Sequence, residues 1–93
     1  MIQKNFLVLY DEDQTAQLLG YPLPLSPLEF DILFRIAAAT LIEPEELIER
    51  LHHAIPLSML SLHIHNINKK AFAISGRKLV AHVCDGYSLY LQM

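Results

Sequence analysis

The sequence predicts a single α+β domain of residues 1–93, in which short β-strands come first, three helices follow and a β-hairpin closes the chain. Apolar runs of strand length lie near both ends of the chain, and helix-start signals precede three segments with apolar residues at helical spacing. A composition of 53% hydrophobic and 18% charged residues supplies one core and argues against a disordered chain. We expect strands within residues 1–25, a three-helix core within 26–74 and the hairpin within 77–92.

The N-terminal segment predicts two strands followed by extended chain. Residues 6–10 form an apolar run of strand length, and an acidic turn separates them from a second candidate strand at 15–19. Residues 21–25 alternate as a strand would, but their two prolines cannot donate to a sheet. This segment therefore fits only an edge strand or an extended linker.

Two helices in the middle of the chain have recognisable start signals. Ser26 followed by Glu29 forms a capping box around a proline that suits the first helical position, which predicts a helix at about 27–39. Its apolar positions are Phe30, Leu33, Phe34 and Ala37. Pro44 and the acids that follow it open a second helix, which we expect to continue to Pro56. Its apolar stripe is Leu47, Ile48 and Leu51, with Ile55 as a further candidate.

A third helix follows a short connection. Ser58 can cap this helix, and the Ser75-Gly76 pair ends it. Its expected buried stripe, spaced by four, three and four residues, is Leu60, Ile64, Ile67 and Ala71. The opposite, outward face carries Leu62, His65, Asn66 and Lys69.

The C-terminal segment predicts a hairpin. Residues 78–83 and 87–91 form two short candidate strands, and Asp85-Gly86 between them is typical of a tight turn. The predicted order is therefore strands, three helices and a hairpin, with a short connection between the last two helices. This is the order of elements in a winged helix-turn-helix. The predicted fold class is therefore a winged helix with short N-terminal strands.

Charge divides the chain into an acidic part and a basic part. Residues 1–57 hold three Lys or Arg against nine Asp or Glu, a net charge of −6, whereas residues 58–93 hold four against one, a net of +3. The charge of the whole chain, −3, argues mildly against a nucleic-acid ligand. The asymmetry nevertheless predicts that a polyanion would bind the C-terminal third of the chain.

Four short motifs lie in order along the chain. Residues 25–33 read LSPLEFDIL, 44–48 PEELI, 60–71 LSLHIHNINKKA and 82–87 HVCDGY. Together they resemble the winged-helix effector domains of OmpR/PhoB-type response regulators, which carry L-T-x-x-E-F-x-L-L, S-x-E-E-L, V-D-V-H-I-x-R-L-R-K-K-L and, one residue longer than here, T-V-R-G-x-G-Y. The resemblance covers nearly the whole chain. It implies a bacterial-type domain for transcription control, with a recognition helix at about 58–73.

Several positions depart from that family in the direction of weaker DNA binding. The arginines usual on the recognition helix are Asn66 and Asn68 here, the usual aspartate is Ser61, and the wing arginine is Cys84. Because phosphate contacts need Lys or Arg, the loss of three cations implies a lower affinity. The family also has a receiver domain before the effector, so the chain would be an excised domain, a free-standing one or an offshoot with another role.

The resemblance places candidate DNA contacts on the third helix and the wing. Leu62 and Asn66 lie one turn apart on this helix. An asparagine can form hydrogen bonds with adenine, and an apolar side chain can contact a thymine methyl. Both positions also fit a solvated helix face. The candidate phosphate contacts are Lys69, Lys70, Arg77 and Lys78. His63 could donate to a phosphate or pack at the edge of the core. His65 and His82 are expected on the same side as these contacts.

Other classes of function find little support. With three glycines, no phosphate-binding loop and no nucleophile placed beside a base, the chain predicts neither an enzyme nor a cofactor site. The pairs His52-His53 and His63-His65 do not share a helix face, and Cys84 is the single cysteine, so we expect no metal site and no internal disulfide. The single cysteine fits a reducing, cytoplasmic setting, and we see no signal peptide and no membrane-length apolar run.

Two functional hypotheses therefore stand. The first is binding of double-stranded DNA in transcription control. The alternative is a degenerate winged helix that acts as a protein–protein interaction or dimerisation module with little or no DNA affinity. Candidate exposed apolar residues for a homodimer or protein partner are Leu57, Met59, Leu62, Phe72, Tyr90 and Met93.

Overall fold

The computed structural model describes residues 1–90 and confirms the winged helix-turn-helix. In this part of the chain, four strands form the N-terminal sheet: β1 (Ile2–Lys4), β2 (Leu7–Tyr10), β3 (Thr15–Leu18) and β4 (Tyr21–Leu23). The helices are α1 (Pro27–Ala38), α2 (Pro44–Arg50) and α3 (Leu60–Ser75). The C-terminal hairpin, called the wing below, consists of β5 (Val80–Val83) and β6 (Gly86–Leu89). Residues 91 and 92 of the predicted hairpin, with Met93, lie outside the described residues.

The N-terminal sheet is antiparallel, in the order β1-β2-β3-β4, and packs one face on the helices. Alternate residues of β2 and β3 point into the core, where Leu9 and Leu18 are fully buried. Strand β1 was not predicted because its three residues are mostly exposed and show no alternation. The proline-containing segment forms an edge strand at 21–23, one of the two predicted alternatives.

Helix α1 is buried on more faces than its predicted stripe. The capping box is present, because Ser26 Oγ accepts from the Glu29 N–H (3.2 Å) and Glu29 Oε1 accepts from the Ser26 N–H (2.8 Å). Ile32 and Ile36 are as buried as Leu33, since α1 contacts the sheet, both other helices and the wing. This central helix therefore holds the other elements together.

Helix α2 is shorter than predicted. It ends at Arg50, and Leu51 is already extended, with φ −69° and ψ 145°. The carboxylate of Asp31 on α1 accepts a hydrogen bond from the backbone N–H of His52 (2.7 Å), which fastens the following loop to α1. The expectation that the helix continues to Pro56 is wrong because this tertiary contact takes the backbone out of the helix.

Helix α3 carries the predicted buried stripe: Leu60, Ile64, Ile67 and Ala71 are all buried. Its predicted cap is wrong, because Ser58 lies in a short 3₁₀ turn (Leu57–Met59) and α3 begins at Leu60 with no side-chain cap. Its end is as expected, since Gly76 adopts the left-handed conformation (φ 72°) that stops a helix. The helix thus covers residues 60–75, whereas the bounds predicted for it were about 58–73.

The turn of the wing is displaced by one residue from its predicted position. Val83 pairs with Gly86, so the two turn residues are Cys84 and Asp85, and Cys84 takes a positive φ of 53°. Gly86 instead lies against the segment before α2, where a Cβ would stand 2.8 Å from the carbonyl oxygen of Ile42. Ile42 exchanges two backbone hydrogen bonds with Tyr87 (3.0 and 2.8 Å), which attaches the wing to the helical core.

Candidate nucleic-acid interface

The outward face of α3 is accessible along its length. Leu62 is 48% exposed, His65 and Lys69 are exposed, and Asn66 is half-buried. All four lie opposite the buried stripe, as the helical spacing predicts. An edge of hydrogen-bonding and apolar groups is therefore available on the element that winged helices use to read DNA.

A shallow groove of about 310 Å³ lies along α3 and reaches Lys78, two residues before β5. It is lined by His65, Asn68, Lys69, Phe72 and Lys78. The two lysines are exposed, and Phe72 between them is 58% exposed. The structure thus brings Lys69 and Lys78 together on one surface, nine residues apart in sequence, as cations available to a polyanion.

Lys70 lies on another side of α3 from Lys69. Its Nζ contacts Glu29 Oε1 at 2.5 Å, and Glu29 is only 6% exposed. Burial raises the pKa of Glu29, but the hydrogen bonds from Lys70 and from the Ser26 backbone outweigh it, so the pKa lies below its ordinary value. Lys70 therefore joins α3 to the start of α1, and a phosphate contact would have to replace this ion pair.

The remaining sequence-predicted residues are not part of the lining of this groove. His63 is half-buried, whereas Arg77 is exposed in the turn after α3, where its backbone N–H donates to Ser75 Oγ (3.2 Å). His82 is exposed on β5 and stacks on Tyr87, with ring centroids 5.0 Å apart. Arg77 thus lies beside Lys78 in the turn after α3, and His82 lies on the first strand of the wing.

Sequence reasoning missed the structural role of Asn68. Its side chain is half-buried and bonds to the backbone of Leu79 and Val80, at the start of the wing. The only indication in the sequence is that Asn68, a polar residue, directly follows Ile67 of the buried stripe. Its partners could not be read from the sequence because they lie 11 and 12 residues away, across a turn.

The adjacent histidines of the α2–α3 loop take part in contacts with α1. An Nη of Arg35 lies 2.9 Å from His52 Nε2, and His53 Nδ1 lies 3.2 Å from an Asp31 carboxylate oxygen. Among residues 1–90, no group of three or more metal-ligating side chains could hold an ion. None of the helices described is long and apolar enough to cross a membrane.

The fold is that of a winged-helix domain, and solved DNA-binding domains of response regulators share it over nearly the whole chain. The DNA-binding domain of AdeR, solved in complex with an intercistronic region, matches with a TM-score of 0.79 at 15% identity, over 96% of this chain and 97% of that one. The Klebsiella pneumoniae RstA DNA-binding domain, in complex with the RstA box, matches with a TM-score of 0.76 at 21% identity, over 95% and 94%.

A longer neighbour is a redox sensor of streptococci, from a family that evolved from two-component response regulators. It matches with a TM-score of 0.80 at 17% identity over 96% of this chain, which spans 41% of that protein's length. No protein-family model and no curated protein sequence matches the chain. At these identities the structural likeness establishes the fold.

Proposed function

We propose that the domain binds double-stranded DNA in transcription control, with α3 in the major groove and the wing along the adjacent backbone or minor groove. The observation that carries the proposal is the pair of exposed lysines, Lys69 and Lys78, on the groove beside α3. Two solved neighbours of this fold, the AdeR and RstA domains, are complexes with DNA. The charge asymmetry of the sequence agrees, since the acidic residues are concentrated before α3.

The proposed contacts separate into base-reading and phosphate-binding groups. Asn66 would bond to the edge of an adenine and Leu62 would touch a thymine methyl, which favours A·T steps. Lys69, Lys78 and Arg77 would bind phosphates, and His63, His65 and His82 would add contacts around them. Lys70 would support the site by holding α3 against Glu29 rather than by touching DNA.

The small number of cations sets the strength of this binding. Two or three phosphate contacts predict that the logarithm of the binding constant falls with that of the salt concentration with a slope of about −2 to −3. Domains with more contacts show steeper slopes and tighter binding. Affinity here should therefore be modest at physiological salt and readily measured at low salt.

Fluorescence anisotropy with a random-sequence duplex pool at ~50 mM and ~200 mM salt tests the proposal. We expect binding at the lower salt that weakens at the higher, and loss of most of it in the variant Lys69→Gln/Lys78→Gln. Lys4→Gln removes an exposed charge from β1 and should leave affinity unchanged. No binding at ~50 mM salt would overturn the proposed function. Equal binding by the wild type and the double variant would overturn the proposed site.

The alternative, a protein-interaction module, is favoured by one observation. Leu62, Phe72 and Tyr90 expose 48%, 58% and 41% of their surface, and Phe72 and Tyr90 line one shallow pocket. A homodimer through this surface would be lost in Leu62→Glu, as measured by light scattering. A monomeric wild-type protein would remove the basis for homodimerisation.

A further inference from the structure

Asn68 ties α3 to the wing through three hydrogen bonds. Its Oδ1 accepts from the backbone N–H groups of Leu79 (2.9 Å) and Val80 (2.8 Å), and its Nδ2 donates to the Val80 carbonyl (3.0 Å). Leu79 and Val80 are buried, so their backbone groups need partners within the protein. The amide of Asn68 thus takes the place that a neighbouring strand would occupy beside the start of β5.

Lys78 immediately precedes the segment held by Asn68. On its other side, Arg77 is bonded to Ser75 Oγ through its N–H and its carbonyl (3.2 Å each), so Lys78 lies between the turn that ends α3 and the segment that Asn68 holds. Lys69, in contrast, is carried by α3 itself. The pairing of Ile42 with Tyr87 and the hydrogen bond from Ser88 Oγ to the Thr40 carbonyl also attach the wing, but they act on β6 and lie farther along the chain.

We infer that Asn68 is a positioning residue for DNA binding, which holds the start of the wing so that Lys78 faces the same duplex as Lys69. The inference rests on the proposed function, because it takes phosphates as the ligands of both lysines. The arginine usual here in the resembled family has donors and no acceptor, so it could not accept from two backbone N–H groups. Compared with that arginine, asparagine at position 68 lacks a positive charge but holds the start of the wing in place.

Backbone amide relaxation, measured by NMR without DNA, tests the positioning step alone. In Asn68→Ala we expect increased mobility of residues 78–81, while residues 86–88 stay ordered through Ile42. Ser61→Ala, which removes another polar side chain of α3, should leave the wing as in the wild type. Unchanged mobility of 78–81 in Asn68→Ala would overturn the inference whether or not the domain binds DNA.

A double-mutant cycle on DNA affinity tests the functional consequence. Lys78→Gln should weaken binding on the order of fivefold at ~100 mM salt in the wild-type background, the size expected for one phosphate contact. In the Asn68→Ala background the same change should have an effect of less than about twofold, since Lys78 no longer faces the duplex. Lys69→Gln should keep its full effect in both backgrounds.

A purely structural role for Asn68 would lower stability but leave the effect of Lys78→Gln the same in both backgrounds, which would overturn the inference. If Asn68→Ala does not fold, Asn68→Ser takes its place, because a serine hydroxyl is too short to reach both N–H groups. Asn68→Asp keeps an acceptor for both N–H groups but faces the Val80 carbonyl with a second oxygen, so it should order the wing less well than asparagine does. Absence of DNA binding by the wild type would refute the proposed function and leave the relaxation experiment to decide the positioning role.

Discussion

At the scale of single residues, neighbouring lysines on α3 have different environments. Lys69 and Lys70 point about 100° apart around the helix, so that one faces the groove and the other the carboxylate of Glu29. The sequence shows a cluster of cations, but it cannot show that one of them is held by an acid 41 positions earlier. In the same way, the sequence cannot show that the partners of Asn68 are Leu79 and Val80, which lie across a turn.

Glu29 should make the stability of the domain depend on pH in a defined direction. Its pKa in the folded protein lies below the ordinary value of 4.5, so its contribution is present above that value and is lost as the pH falls through the lowered pKa. Glu29→Gln keeps the capping box but removes the charge facing Lys70. At neutral pH we expect the variant to be less stable by about 1–2 kcal/mol.

Chemical denaturation at a series of pH values measures this effect. The difference in unfolding free energy between wild type and Glu29→Gln should shrink as the pH falls below 4.5, because wild-type Glu29 then becomes protonated. The comparison isolates Glu29 from Asp11, whose pKa is also lowered, first by its hydrogen bond with the N-terminal amino group. A difference that stays constant down to about pH 3 would contradict the role given to this ion pair.

At the scale of elements, the sequence predicts those features of helices and strands that depend on neighbouring residues. The capping box at Ser26 and the buried stripe of α3 follow from neighbouring residues, and both are present. The end of α2 and the turn of the wing depend on contacts between distant segments, at Asp31 with His52 and at Gly86 with Ile42. These boundaries could not be read from local patterns.

Gly86 offers a test of how the wing is attached. A methyl group at this position would meet the Ile42 carbonyl oxygen at 2.8 Å, so Gly86→Ala should displace the wing and destabilise the domain by about 1–3 kcal/mol. Thermal or denaturant unfolding measures the change. Gly76→Ala is the matched control, because its site is open and the cost should be only about 1 kcal/mol, from the positive φ. A Gly86→Ala variant as stable as the wild type would show that this close approach is absent.

At the scale of the whole molecule, the distribution of charge and the fold point to the same surface. The sequence alone indicates a basic C-terminal third, and the fold brings its lysines at 69 and 78 to one groove beside α3. The order of elements was predictable because a helix-turn-helix with a following hairpin is a recurrent arrangement. Only the three-dimensional structure shows that Lys69 and Lys78 lie on the exposed groove while Lys70 pairs with the buried Glu29.

The central claim is that α3 and the wing form one DNA-binding surface, and chemical-shift mapping tests it most directly. A ¹⁵N-labelled domain is titrated with a short A·T-rich duplex at ~50 mM salt, where phosphate contacts are strongest. We predict that the shifted amides cluster at residues 62–69 and 78–83, while β1 to β3 stay unperturbed. Shifts confined to the N-terminal sheet, or no shifts at all, would contradict the account.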